Sequence, residues 1–257
     1  MQDDTREHKR PVEVVVPGRR VVLAAEKTLL FPLTNSRQLV IHFHGPAWLA
    51  ESAARRVFPG VAVLSVQANG TSSDAYRTLL APAAERFPEM VKQAEAAAGV
   101  TFASIVLSSF SAGYGAIREI LRDKESWKLV DGVVLADSMH AEYGGEARDL
   151  DAFLDFAREA AGGQKRFVIA HSEVFPGTYA STTESASYLL RELHLKREPV
   201  LEWGTLGMQQ LSKVVKGGLQ VLGFAGNSAP DHMDHFFALE DWYRRLNAFP
   251  PKRSVKR

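Results

Sequence analysis

The sequence contains no cysteine. Disulfides, zinc–thiolate sites and thiol nucleophiles are therefore excluded, while the compartment stays open because a cysteine-free chain is stable in either redox setting. Long apolar runs are missing too. Apolar runs such as Val61 to Val66 and Val133 to Ala136 are far too short to cross a bilayer, so no membrane span is expected. Neither sign of charge is in excess: Lys and Arg number 31 against 30 Asp and Glu, a net +1. A surface so balanced does not suit a phosphate backbone, and nucleic acid is not an expected partner. The start, Met1 to Arg10, is charged and lacks the apolar stretch of a secretory signal, which tips the expected setting toward the cytoplasm. There is no fixed-period repeat and no Pro/Gly/Ser linker. The reading is one domain over residues 11–249, between a charged extension at 1–10 and a basic tail at 250–257. Nothing in the sequence sets an oligomeric state.

What is present suffices for a large core, since 46% of the 257 residues are hydrophobic. Val12 to Val16, the turn Pro17-Gly18 and Arg20 to Ala25 read as an antiparallel hairpin. The pattern then changes to short runs apolar on both faces: Leu39 to Phe43, Val61 to Val66, Ser104 to Ser108, Asp131 to Ala136, Arg166 to Ala170 and Leu219 to Phe224. Strands covered by helices on each side have this composition, so the expected fold class is α/β, a mostly parallel central sheet with helices on both faces. Helices are expected near Trp48 to Val57, Asp74 to Ala98, Ala112 to Arg122, Leu150 to Ala161, Thr183 to Leu193 and Pro230 to Leu246. Pro88 is expected to break the second of them. Pro199 to Lys216 reads as an extra strand and a helix beside the last core strand.

The segment Ser104-Ile-Val-Leu-Ser-Ser-Phe-Ser-Ala-Gly-Tyr-Gly-Ala116 runs strand, sharp turn, helix. A serine on such a turn is lifted clear of the sheet, and the next backbone N–H lies at a helix N-terminus, where negative charge is favoured. The turn is tight enough that positions two before and two after the serine must be small, and these are Ser109 and Gly113. Ser111 is the candidate nucleophile; its plainer alternative is a helix cap.

This arrangement resembles the nucleophile elbow of the α/β-hydrolase family, usually Gly-x-Ser-x-Gly and here Ser109-Phe-Ser-Ala-Gly113. The resemblance implies a serine hydrolase cleaving a carboxylic ester or related acyl bond of a small molecule through a Ser-His-Asp triad, with no organic cofactor. His44-Gly45 at the end of Leu39 to Phe43 looks like the family's oxyanion segment, which aims a backbone N–H at the developing charge. Pro46 has no N–H, so Gly45, Ala47 or Trp48 must donate, with Ala112 as the second donor.

The family's chain order of serine, acid, histidine can be filled. The resemblance places the base in the loop or first helical turn after Leu219 to Phe224, which offers His232 and, one turn deeper, His235; His232 is preferred. Asp137 and Glu173 compete for the acid. Asp137 ends a buried strand, where a carboxylate costs several kcal/mol unless paired, so it more strongly demands a partner and is preferred. Trp48, Phe110 and Tyr114, with the loops Gln67 to Ser73 and Val174 to Tyr179, are the expected substrate-binding rim.

Two rival readings stand beside this one. His42 and His44, two apart on a strand and facing the same way, could join His232 and His235 in a metal-dependent hydrolase. The atypical Ser109 and Pro46 also suit a non-catalytic binding protein on the hydrolase fold.

Overall fold

The computed structural model describes residue 10 and residues 21–22, 29–31 and 36–248. Most of the hairpin expected over Val12 to Ala25, the extension at 1–9 and the tail at 250–257 lie outside the described residues. In chain order the elements are β1 (Val21–Val22), β2 (Leu29–Phe31), β3 (Gln38–Phe43), α1 (Ala47–Val57), β4 (Ala62–Val66), α2 (Ser73–Leu80), α3 (Ala83–Ala98) and β5 (Ser104–Phe110). A 3₁₀ turn at Ser111–Gly113 leads into α4 (Tyr114–Arg122), followed by α5 (Lys124–Leu129), β6 (Val130–Ala136), α6 (Glu146–Asp149), α7 (Asp151–Ala161), β7 (Arg166–His171) and α8 (Thr182–Glu192). The chain continues through β8 (Glu198–Trp203), β9 (Gln209–Lys216), β10 (Leu219–Phe224), α9 (Ala229–Phe237) and α10 (Leu239–Asn247).

The strands form one sheet in the order β1-β2-β4-β3-β5-β6-β7-β10-β9-β8. From β4 to β10 all neighbours are parallel, and antiparallel pairs occur only toward the two edges. Alternate residues of a central strand enter different cores. In β3, Leu39, Ile41 and Phe43 pack with Tyr76, Phe87, Ile117 and Phe153 on one face, while Val40 packs with Leu49, Phe236 and Tyr243 on the other. Each such fully buried side chain contributes about 1.5–3 kcal/mol of transfer free energy. The expected doubly covered, mostly parallel sheet is what the chain forms, and it brings the carboxyl ends of β3, β5, β6 and β10 to one edge of the sheet.

Three local expectations differ from the structure. Pro88 does not break a helix but lies inside α3. Phe87, Met90, Val91 and Ala94 recur at helical spacing and are buried, and that shared face outweighs the one backbone hydrogen bond that proline removes. The break falls earlier, at Ala81, which the following Pro82 holds extended (φ −92°, ψ 130°). Pro199 to Lys216 forms no α-helix: β8 and β9 make an antiparallel extension, with β9 paired to β10 through the Gly217-Gly218 turn. A Cβ on Gly218 would lie 2.2 Å from Lys165 O, so the turn packs backbone against backbone. The last helix, expected as one piece, is divided at Ala238 into α9 and α10.

Candidate active site

β5 delivers Ser111 to the cleft through an abrupt reversal. Phe110 is still extended, and Ser111 then takes φ +48°. A Cβ on Gly113 would sit 2.3 Å from Phe43 O, so the residue two beyond the serine must be glycine. Ser109 keeps its hydroxyl because Ser138 receives it. Ser138 Oγ donates to the Ser111 carbonyl at 2.7 Å, which leaves Ser109 to donate to Ser138 Oγ at 2.8 Å. The serine found where the common motif has glycine thus ties β6 to the turn. Ser111 Oγ itself makes no hydrogen bond among the described residues and lines an open cleft.

Backbone strain gathers here. Five described non-glycine residues have positive φ, and three of them, His44 (73°), Ser111 (48°) and Asp137 (45°), directly follow β3, β5 and β6. Each such residue costs about 1–3 kcal/mol and persists where the surroundings over-determine it, typically at functional sites.

Asp137 is 1% exposed and accepts four hydrogen bonds. Ser172 N–H (2.9 Å) and Thr182 Oγ1 donate to Oδ1, while Ser172 Oγ (2.6 Å) and His232 Nδ1 (2.6 Å) donate to Oδ2. Burial alone would raise its pKa, but the bond from His232, the nearby imidazoles and Ser172 hold the carboxyl well below the usual carboxylate range. With its proton on Nδ1, His232 presents an unprotonated Nε2. The helix that carries it is set by Ser228, whose N–H donates to Asp231 at 2.9 Å, and by Pro230 in the first turn. Phe110 packs its ring 4.5 Å from the His232 ring, which sets the imidazole beside the residue preceding Ser111.

The competing candidates lie elsewhere. His235 is fully buried between Phe224 and Trp242, and burial lowers its pKa to about 4. Glu173 is exposed and makes no side-chain hydrogen bond or ion pair among the described residues.

The loop after β3 is held from two sides. His42 is buried and kept neutral, its pKa lowered to about 3 chiefly by burial. Its Nε2–H donates to the His44 carbonyl at 2.8 Å, so Nδ1 accepts from Ser108 Oγ at 2.8 Å, and Ser108 in turn accepts from Tyr243 OH at 2.6 Å. Because the peptide is planar, anchoring His44 O fixes the direction of the Gly45 N–H, which has no acceptor among the described residues. Gln67 Nε2 donates to Gly45 O, while Tyr76 OH donates to Gln67 Oε1 at 2.9 Å and accepts from His44 Nδ1 at 2.9 Å. Gly45 (φ +110°) lies against Phe236, whose ring would be 2.4 Å from an added Cβ. Both ring nitrogens of His42 are therefore engaged, Nε2 by the His44 carbonyl and Nδ1 by the Ser108 hydroxyl. Among the described residues no group of three or more His, Cys, Asp or Glu side chains is arranged to hold a metal.

Ser111, Ala112 and Tyr114 line a cleft of about 380 Å³, with Arg118, His140 and Tyr179 around it. Of the three expected rim aromatics only Tyr114 is there. Phe110 is 4% exposed and wedged among His44, His232 and Phe236, and Trp48 packs against the core on the α1 side. Sequence reasoning missed Arg118 and His140 in the cleft, and Ser172 and Thr182 behind Asp137. Arg118 could have been found, because it falls one helical turn beyond Tyr114 on the same face of α4.

No protein-family model and no curated protein matches the chain. Solved structures similar to it include a cold-adapted esterase from an Arctic intertidal metagenomic library (12% identity, 90% of this chain and 98% of that one, TM-score 0.49). Others are a carboxylesterase from Mesorhizobium loti (14%, 90% and 99%, 0.46) and a haloalkane dehalogenase from Bradyrhizobium elkani (11%, 90% and 99%, 0.47). Neighbours so distant, and with such different chemistries, leave function to be argued from the site. The strand order and the strand–turn–helix at Ser111 give this chain the α/β-hydrolase fold.

Proposed function

We propose that the chain is a serine hydrolase acting on carboxylic esters of small molecules. The observation that carries this reading is the 2.6 Å bond from His232 Nδ1 to a buried, ionised Asp137, with the ring packed beside Phe110 at the strained Ser111 turn. In this reading His232 Nε2 takes the proton of Ser111 Oγ as the oxygen bonds to the ester carbonyl carbon. The N–H groups of Gly45 and Ala112 stabilise the oxyanion. Collapse breaks the bond to the alcohol oxygen, which leaves with the proton from His232, and the acyl group stays on Ser111. Water then repeats the sequence: His232 takes its proton, hydroxide adds to the acyl carbon, and Ser111 leaves reprotonated with release of the acid. His42, Gln67 and Tyr76 act by keeping the Gly45 peptide in place, so no donor has to reorganise as charge develops.

The test is turnover of short-chain 4-nitrophenyl esters across pH, with and without EDTA. Because Asp137 is held below the ordinary carboxylate range, it stays ionised wherever the fold persists. A single group should then govern the acid limb, and log kcat/KM should fall with unit slope toward acid pH as the acceptor for the Ser111 proton is lost. A slope of two would mean that Asp137 titrates with it. EDTA should leave activity unchanged; loss restored by zinc would favour the rival reading built on His42 and His44.

A further inference from the structure

We propose that the cleft beside Ser111 is built for an ester carrying a carboxylate, and that Arg118 binds that group. The inference rests on the reading of Ser111 as nucleophile and adds the class of its substrate.

Arg118 lies one helical turn beyond Tyr114 on α4, and both line the cleft that holds Ser111. Tyr114 and Arg118 are about 6 Å apart along the axis, and helical side chains lean back toward the N-terminus, here toward Ser111. The Arg118 side chain is only 12% exposed, yet its guanidinium makes no hydrogen bond among the described residues. Nε is buried and unpartnered, the ion pair with Asp149 is long at 3.8 Å and carries no hydrogen bond, and the remaining contact is with the face of Tyr114, 5.5 Å from the ring centre. A guanidinium taken from water without hydrogen bonds is costly, and its planar fork matches the two oxygens of a carboxylate.

The acids around the cleft are already matched. Arg148 bonds both Glu142 (2.7 Å) and Asp149 (2.9 Å), and Arg77 bonds Asp74 (2.7 Å). Among the described residues lining the cleft, Arg118 is thus the cation with donors to spare. The same three acids oppose a dianion, which favours a carboxylate over a phosphate ester. Tyr114, His140 and Tyr179 form a chain of ring contacts with polar edges lining the same cleft as Ser111 and Arg118, suited to a short polar substrate.

Two ester pairs test the proposal, one with the charge on the acyl side and one on the alcohol side: 4-nitrophenyl hydrogen adipate against its methyl ester, and 4-acetoxybenzoate against its methyl ester. The readout is the ratio of kcat/KM for the charged over the neutral member. The wild type should prefer the charged member of at least one pair. In Arg118→Gln that ratio should fall about 10- to 100-fold, mainly through KM, as expected for loss of a charged, bidentate contact. Arg118→Lys, which keeps the charge without the fork, should fall between, while Arg122→Gln, exposed on the same helix, should keep the wild-type ratio. Calorimetric titration with adipate reads the same contact without turnover and should weaken in Arg118→Gln. Wild-type preference for the neutral member of both pairs, or an unchanged ratio in Arg118→Gln, overturns the inference while leaving the hydrolase reading in place. If neither pair is turned over, the hydrolase reading fails, and adipate binding that is absent or insensitive to Arg118→Gln would remove the carboxylate site as well.

Discussion

Ser111→Ala is expected to lower kcat/KM on short-chain esters by at least about 10⁴-fold with little change in stability. Alanine fits the turn as well as serine does, since the tight constraint falls on Gly113 against Phe43 O. The Ser111 hydroxyl makes no hydrogen bond among the described residues whose loss would disturb the fold, and the bond that anchors the turn uses the Ser111 carbonyl, which the substitution keeps. The strain at φ +48° is carried by either residue. Thermal unfolding and ester kinetics on the same preparation check both halves of this expectation. A folded variant retaining a tenth or more of the activity would mean that another group attacks the ester.

Asp137→Asn should be nearly as damaging, and the hydrogen bonds say in which way. Oδ1 accepts from the Ser172 backbone N–H, which cannot turn its proton away, whereas the other hydrogen-bonding groups around the carboxylate can adapt. The asparagine oxygen must therefore take the Oδ1 position, and its NH₂ then faces His232 Nδ1. That nitrogen is forced to accept, the imidazole proton moves to Nε2, and the base has no lone pair for Ser111. The wrong tautomer costs on the order of 10⁴ in turnover in the well-studied serine protease case, and a loss of that order is expected here. Glu173→Gln should stay within about threefold of wild type, since the Glu173 side chain is exposed and has no hydrogen bond or ion pair among the described residues. An unimpaired Asp137→Asn beside an inactive Glu173→Gln would move the acid to the loop after β7.

The sheet was legible because runs such as Leu39 to Phe43 are apolar on both faces, the composition of strands covered by helices on each side. The elbow was legible because one turn imposes small residues at fixed offsets. The preference for Asp137 over Glu173 followed from the cost of burying a carboxylate at a strand end, and the structure buries Asp137 against His232 while leaving Glu173 in solvent. Less could be read where a residue's role is set by distant parts of the chain. Ser109 departs from the usual glycine, and its role is set by Ser138, 29 positions away, which takes its hydroxyl. Phe110 and Trp48 are aromatic residues near the nucleophile or its loop, and nothing local distinguishes a cleft wall from a packed core. Pro88 follows a local rule that the buried face of α3 overrides, and the helix expected within Pro199 to Lys216 gives way to pairing with β10. Gln67 and Tyr76 hold Gly45 and His44 across a loop that carries no periodic signal.

The central atom is the Ser111 oxygen, and fluorophosphonate labelling followed by mass-spectrometric location of the adduct tests its role directly. An unactivated serine does not react at a useful rate, whereas one backed by His232 and Asp137 and facing two oxyanion donors should be phosphonylated stoichiometrically. The expected result is a single adduct on the peptide containing Ser111, absent in Ser111→Ala, strongly slowed in His232→Ala, and accompanied by complete loss of ester turnover. No adduct on the folded wild-type chain, or an adduct on another serine that tracks the loss of activity, would contradict it.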